Sequence, residues 1–257
     1  HHMRIARQAA VEERPELMPR ARQLRDAEYA VARQTDVVLT HSPVEATILR
    51  RDVPGVEVHV VPWGVAVRKQ VPSFEKRSGV LFLGNFSHAP NIDAAIWLTE
   101  EIMPLVWRQR PDIGCTIAGA DMPEQVRRLA APGVEVVGPV SDCGALLDKV
   151  RLSIAPLRFG AGIKGKVLDS LAAGVPCVIT PVATEGMELP PPLADATGET
   201  AEALAALTVK LHEDMAMHAK MDHAGRRFIR KRHDQAVVAE TLGRALGNHI
   251  EKRKAGS

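Results

Sequence analysis

No stretch of this 257-residue sequence approaches the ~18 consecutive apolar residues that a membrane-crossing helix needs. The start also lacks the apolar core of a secretory signal, and His1 and His2 read as a tag remnant. Cysteine is scarce: Cys115, Cys143 and Cys177 are odd in number and far apart. With no CxxC and no Cys/His spacing, neither a disulfide framework nor a zinc site is supported. Cys115 and Cys177 sit in apolar runs and read as small core residues, which points to a reducing, cytoplasmic setting. A dominant charge is missing too. Thirty-three basic and 31 acidic side chains leave +2, unlike the concentrated basic face of a nucleic-acid binder. No GxxxxGK[ST], GxGxxG or nucleophile-elbow pattern occurs.

What is present is enough apolar material, 46% with 25% charged residues, to build a real core. The length fits one large domain, or one domain plus part of another. Residues 4–34 read as helix broken near Pro15 and Pro19, and Asp36 to Thr40 as a short strand. Ser42 with Glu45 forms a capping box for a helix to about Arg51, and Val56 to Val61 alternates as a second strand. Two strands do not close a sheet, so residues 1–66 are expected to be the last part of a domain whose beginning is absent. Residues 67–78 read as a linker.

From Val80 the pattern turns regular. Apolar runs at Val80–Leu83, Ile113–Ala118, Val134–Val137, Leu152–Ala155 and Val175–Thr180 alternate with helices at about 90–106, 122–130, 142–149 and 163–173. Unbroken apolar strands alternating with helices predict an α/β fold over residues 79–235, a Rossmann-like parallel sheet covered on both faces. Polar helices fill roughly 199–250, and residues 236–257 form a final helix and tail. In such folds ligands bind beyond the carboxyl ends of the strands. The positions after each run therefore carry most functional weight.

The most informative stretch is APLRFGAGIKGKVLDSLAAGVPCVITPVATEGME, from Ala155 to Glu188. Arg158 follows a strand. Gly160, Gly162 and Gly165 then interleave with Lys164 and Lys166 where a helix begins. Glycines let backbone approach a ligand closely, and free N–H groups at a helix start attract anions. With two ammonium groups this makes a diphosphate cradle. Asp169 shares a helix face with Lys166. Its oxygens suit the two hydroxyls of a ribose, though a plain Lys166–Asp169 surface pair is the competing reading.

This stretch closely resembles the donor site of retaining GT-B glycosyltransferases of the group 1 (family 4) type. LFLGNFSHAPNIDAAIWLTEEIMP resembles the opening strand, loop and helix of their C-terminal domain, and VEVVGPVSDCGALLDKVRLSIAPL a later strand-helix-strand. TDVVLTHSPVEATILRR and VEVHVVPWGV resemble segments that close their N-terminal domain. The resemblance implies an NDP-sugar donor, bound without any further cofactor or metal. It implies a glycan or lipid-linked saccharide acceptor held by a largely missing N-terminal domain, so that this chain alone transfers little or nothing. Lys164 and Lys166 would hold the diphosphate and Asp169, at the second glutamate of the Glu-x7-Glu motif, the ribose. Gly84 and Asn85 would face the phosphates and sugar. Glu185, Gly186 and Met187 would line the donor pocket, and Gly138 and Val140 would lie beside the base. The first motif glutamate falls on Ala161, and Asn85 stands where an Arg is common.

His88 reads equally as a sugar neighbour or a turn residue. Trp63 reads as packing, and His212, His218, His223, Met215 and Met217 as helix surface. The basic run at Arg226–Arg232 reads as a solvated face, or as attraction to anionic headgroups at the inner face of a membrane. The final helix can pack back onto the missing domain, and a fragment with such a face exposed can dimerise. A UDP-sugar 2-epimerase of the same architecture, or a non-catalytic nucleotide-binding or assembly domain, are the alternative functions.

Overall fold

The computed structural model describes the backbone of residues 1–255 and the side chains of 1–247. Two helices come first, α1 (His2–Val11) and α2 (Met18–Arg33), separated by a turn and a single 3-10 turn at Pro15–Leu17. Pro15 removes a backbone donor there, and the chain bends rather than continuing as one helix. Next come β1 (Val38–Thr40), α3 (Pro43–Asp52) and β2 (Val58–Val60). Ser42 caps α3, its hydroxyl accepting from the Glu45 N–H. The larger unit follows as β3 (Val80–Asn85), α4 (Ala89–Trp97), α5 (Met103–Trp107), β4 (Cys115–Ala120), α6 (Glu124–Arg127) and β5 (Val134–Val137). It continues through α7 (Cys143–Leu147), β6 (Leu152–Ala155), α8 (Gly165–Ala172), β7 (Cys177–Ile179) and α9 (Pro181–Thr184). Three long helices end the described chain: α10 (Ala201–Glu213), α11 (Met215–Arg232) and α12 (Gln235–Ala255). Residues 256 and 257 of the expected tail lie outside the described residues.

The apolar runs become the strands of one five-stranded sheet, all parallel, in the order β5-β4-β3-β6-β7. This is the expected Rossmann-like α/β arrangement. Its direction of winding reverses between β3 and β6, which leaves a crevice beyond the carboxyl ends of those two strands. At that end β3 and β4 nearly touch. Gly119 has φ +149°, and a Cβ there would fall 1.6 Å from the Gly84 carbonyl oxygen, so only glycine fits. β1 and β2 form a separate parallel pair. Between α4 and α5 the helix runs through a π turn at Leu98–Ile102, just ahead of Pro104, whose ring and missing N–H cannot continue the ordinary ladder.

The main core lies between the sheet and its helices and includes Phe82, Leu98, Ile102, Ile117, Ile154 and Leu168, all 2% exposed or less. Residues 67–78 run along the amino end of the strands rather than standing free of them. Arg77 is 1% exposed, donating to the carbonyls of Gly174 at 2.9 Å and Ala173 at 3.1 Å. His212 and His218, expected on a helix surface, are 2% and 5% exposed. His212 Nε2 accepts from the Gly79 N–H at 3.0 Å, and His218 Nε2 lies 2.9 Å from the Arg151 carbonyl. Both occupy helix positions that pack against the base of the sheet, where an imidazole fits a backbone partner better than it fits water. α12 returns to the junction: His233, just before it, accepts from the Val65 N–H through its carbonyl, and Val238 packs on Gly64. No helix among the described residues is long and apolar enough to cross a membrane.

Candidate functional site

Three loops meet at the carboxyl end of the sheet: Asn85–His88 after β3, 156–164 after β6, and 185–187 after α9. The loop after β6 contains Gly160 and Gly162, the latter at φ +73°, a left-handed conformation that disfavours larger residues. It ends at Lys164, the N-cap of α8, which places no side-chain cap on the helix. In the first turn of α8 the Val167 N–H donates to the Lys164 carbonyl at 3.0 Å, which leaves those of Gly165 and Lys166 without a helical partner.

The two lysines are held differently. Lys164 is 9% exposed and donates to the Gly162 carbonyl at 2.5 Å. Burial lowers its pKa to about 8, with Glu185 and Glu45 opposing that shift and Arg7 adding to it. Lys166 donates to Asn91 Oδ1 at 2.6 Å and sits 4.4 Å from the centre of the Phe82 ring. Burial lowers its pKa further, to about 7. Neither ammonium is neutralised by a direct ion pair among the described residues.

Asp169 follows Gly165 by one helical turn. Its residue surface is exposed, yet enough protein surrounds the carboxyl for burial to raise its pKa. It makes no ion pair with Lys166, whose ammonium turns inward to Asn91, so the competing surface pair does not form. Asp169 instead approaches the start of α7: its charge, after burial, helps raise the Cys143 thiol. α7 begins just after Gly138 and Val140, on the edge strand β5. A Cβ added at Gly138 would meet nothing within 4 Å, so that strand end is open. Asp169 therefore lies on α8 toward the start of α7.

Other expected site residues are placed less directly. Asn85 closes the β3 loop, its Oδ1 accepting from Ser87 N at 2.9 Å and Ser87 Oγ at 2.6 Å. His88 precedes α4 and meets Arg4 at 3.1 Å through Nδ1. Arg158 turns away from the lysines and pairs with Asp93 of α4, over the Trp97 ring. Met187 is 2% exposed and belongs to the core, so its side chain supports the loop, while Gly186 packs against Ile163 and Pro43 and Glu185 turns to Arg7. Trp63 is 44% exposed and meets His41 edge-on, rather than being packed away.

Sequence reading missed the contribution of α1. Arg7 donates to the Gly160 carbonyl at 2.6 Å and pairs with Glu185 Oε2 at 2.6 Å, leaving Glu185 Oε1 buried without a partner. Glu45 of α3 lies against Gly162. A cavity of about 790 Å³ between α1, α2, β1 and α3 reaches Ala161 on the same loop. No local pattern marks Arg7: it is one of many arginines in residues 4–34, and only folding brings it across the crevice.

The sheet order, the crevice and its glycine-rich, lysine-bearing loop are those of the Rossmann-like half of a GT-B protein. Residues 77–214 match the family model described as glycosyl transferases group 1. That match spans more than half of the chain, and the chain belongs to this family. An uncharacterized 44.6 kDa protein in the cps region of Klebsiella pneumoniae is 29% identical over 116 residues, covering 42% of this chain and 30% of that protein. Among solved structures, S. aureus TarM, in complex with fondaparinux, α-GlcNAc-glycerol and UDP, superimposes with TM-score 0.70 at 12% identity. The similarity covers 83% of this chain and 44% of TarM. Sucrose-phosphate synthase from Thermosynechococcus elongatus superimposes with TM-score 0.71 at 18% identity, covering all of this chain and 67% of that one. The chain thus spans less than half the length of the Klebsiella protein and of TarM.

Proposed function

We propose that this chain binds the NDP-sugar donor of a retaining glycosyltransferase acting in polysaccharide or glycoconjugate biosynthesis. The observation that carries the reading is the grouping of Lys164, Lys166 and the uncapped start of α8 at the crevice, with Asp169 one turn along. In this reading the diphosphate lies on the glycine-rich loop, the ribose on Asp169, and the base beside Gly138 and Val140. The likeness to a TarM structure that holds UDP supports nucleotide-sugar binding by this fold.

During transfer the bond between the sugar C1 and the diphosphate oxygen breaks, and the electron pair leaves on the diphosphate. The acceptor oxygen bonds to C1 on the face that the diphosphate leaves, and its proton passes to the departing diphosphate oxygen. Lys164, Lys166 and the helix N–H groups stabilise the charge on the leaving group, without a metal or further cofactor. The acceptor, a glycan or lipid-linked saccharide, approaches from the side of α1, α3 and Ala161. Its binding groups belong to a domain of which residues 1–66 are the end, so this chain by itself binds nucleotide and transfers little. Cytoplasmic location, peripheral membrane contact through the basic run on α11, and self-association through the exposed interdomain surface belong to the same proposal.

The test is a thermal-shift screen of UDP, GDP, ADP, CDP and dTDP. A ligand at about 100 times its Kd stabilises the fold by about 2.7 kcal/mol. No shift with any diphosphate overturns the reading. Binding without sugar transfer by a protein carrying both domains makes it a non-catalytic nucleotide-binding domain instead.

A further inference from the structure

Asn91 follows the β3 loop and carries no donor-site role in the sequence analysis, yet it joins two elements of the crevice. It lies in the first turn of α4 and is 9% exposed. Its Nδ2 donates to the Asn85 carbonyl at 2.6 Å, and its Oδ1 accepts from Lys166 Nζ at 2.6 Å. Its backbone N–H meets the His88 carbonyl at 3.0 Å. Gly84 packs against its side chain so closely that a Cβ there would come within 3.2 Å of Asn91 Cβ. The amide is therefore fixed on every side, and both its polar atoms are used.

Lys166 is held by what a cation finds without being cancelled. An ammonium has three N–H donors. The Asn91 oxygen takes one, and the Phe82 face offers quadrupole attraction with no counter-charge. Resting on the donor-site reading above, we propose that Asn91 is a positioning residue: it aims the Lys166 ammonium at the diphosphate and keeps its charge available to that ligand. An aspartate in its place would hold the lysine equally well but neutralise it. An alanine would leave it unaimed.

The surroundings of Lys166 make this measurable. The titratable groups that face it are Cys177 on β7, Lys164 at the start of α8 and His88 on the β3 loop. Burial and Lys164 lower the ammonium's pKa, and Cys177 raises it. A bound diphosphate adds negative charge and favours the protonated lysine. Binding then takes up a proton above about pH 7, and affinity falls as pH rises through that range. Removing the Asn91 acceptor favours the neutral lysine and moves this fall to lower pH. A carboxylate at the same place moves it to higher pH.

The experiment measures the Kd of UDP, GDP, ADP, CDP and dTDP for the full chain by calorimetry, from about pH 6.5 to about pH 8.5. Lys164→Met serves as the background, so that one lysine titrates. The expected result is that Asn91→Ala weakens the tightest diphosphate about tenfold at neutral pH and shifts the fall downward. Asn91→Asp shifts it upward, and Lys166→Met removes it. If Asn91→Ala does not fold, Asn91→Asp keeps size and shape and carries the test by the direction of its shift. Equal losses at every pH in the Asn91 variants make the residue merely structural and overturn this inference alone. If no diphosphate binds the wild-type chain, the donor-site reading falls, and this inference with it.

Discussion

The two ends of the five-stranded sheet treat buried charge in opposite ways. At the base, Arg77, Arg68 and His212 each have a backbone or opposite-charge partner, although Arg77 Nε and His212 Nδ1 stay buried without one. Arg77 donates to two carbonyls, Arg68 pairs with Asp148, and His212 accepts from an N–H. At the carboxyl end, Lys164 and Lys166 are desolvated against neutral oxygens and an aromatic ring. Asp169 has no partner among the described residues, and Glu185 keeps an unpaired buried oxygen. A network matched within the chain stabilises it. Groups left unmatched lower its stability and retain their capacity for a ligand. The contrast teaches where to look for a binding site: at the end where buried ammonium groups lack a counter-charge.

The comparison predicts opposite signs for substitutions at the two ends. The largest effect belongs to Arg77→Met, which strips two buried carbonyls of their donor; urea unfolding should show a loss of about 3–5 kcal/mol. A loss under ~1 kcal/mol would mean that the base is not held by this residue. Next is Asp169→Ala. It should weaken nucleotide binding by ~1.5–3 kcal/mol while moving stability by less than ~0.5 kcal/mol, because the carboxylate has no partner to lose. Calorimetry beside thermal unfolding separates the two numbers, and an equal drop in both would make Asp169 part of the scaffold.

The base should also be the acid-sensitive end. Burial holds His212 neutral down to about pH 4, and His218 is lowered in the same direction. Unfolded imidazoles protonate near pH 6.5. The stabilisation is therefore complete above that value and declines as pH falls from about 6.5 toward 4, by up to ~1.4 kcal/mol per pH unit for each histidine. His212→Asn should flatten that decline in stability measured against pH. The smallest effect is at the other end. Lys166→Met relieves a desolvated ammonium and should raise stability near neutral pH by ~1 kcal/mol, even as diphosphate affinity drops. A destabilised Lys166→Met protein would show that Lys166 is structural and erase the contrast.

Much of the fold was legible because parallel strands buried on both faces must be apolar without interruption. Val80–Leu83 and Leu152–Ala155 announce themselves in this way. Helix limits were less legible. The helix expected at about 122–130 shrinks to Glu124–Arg127, since backbone geometry and caps settle the ends. The glycine-rich loop could be located from residue type alone, but the direction of its side chains could not. Arg158 belongs to the same run yet turns to Asp93, and Lys166 turns to Asn91. Histidine burial was misread at 212 and 218, because a polar residue on a helix carries no mark of the backbone atom awaiting it across 133 residues.

The order of apolar runs and glycine breaks determined by itself that this chain winds into a parallel sheet, with lysines following its fourth large-unit strand. That outcome rests on local forces: side-chain burial, backbone sterics and helix initiation act between near neighbours. Only the tertiary structure decided that Arg7 reaches Gly160 and Glu185, that Asn91 meets Lys166, and that Asp169 stands apart from both lysines. Those contacts join residues far apart in the chain. They arise from where the packed elements leave polar atoms, which no spacing in the sequence records.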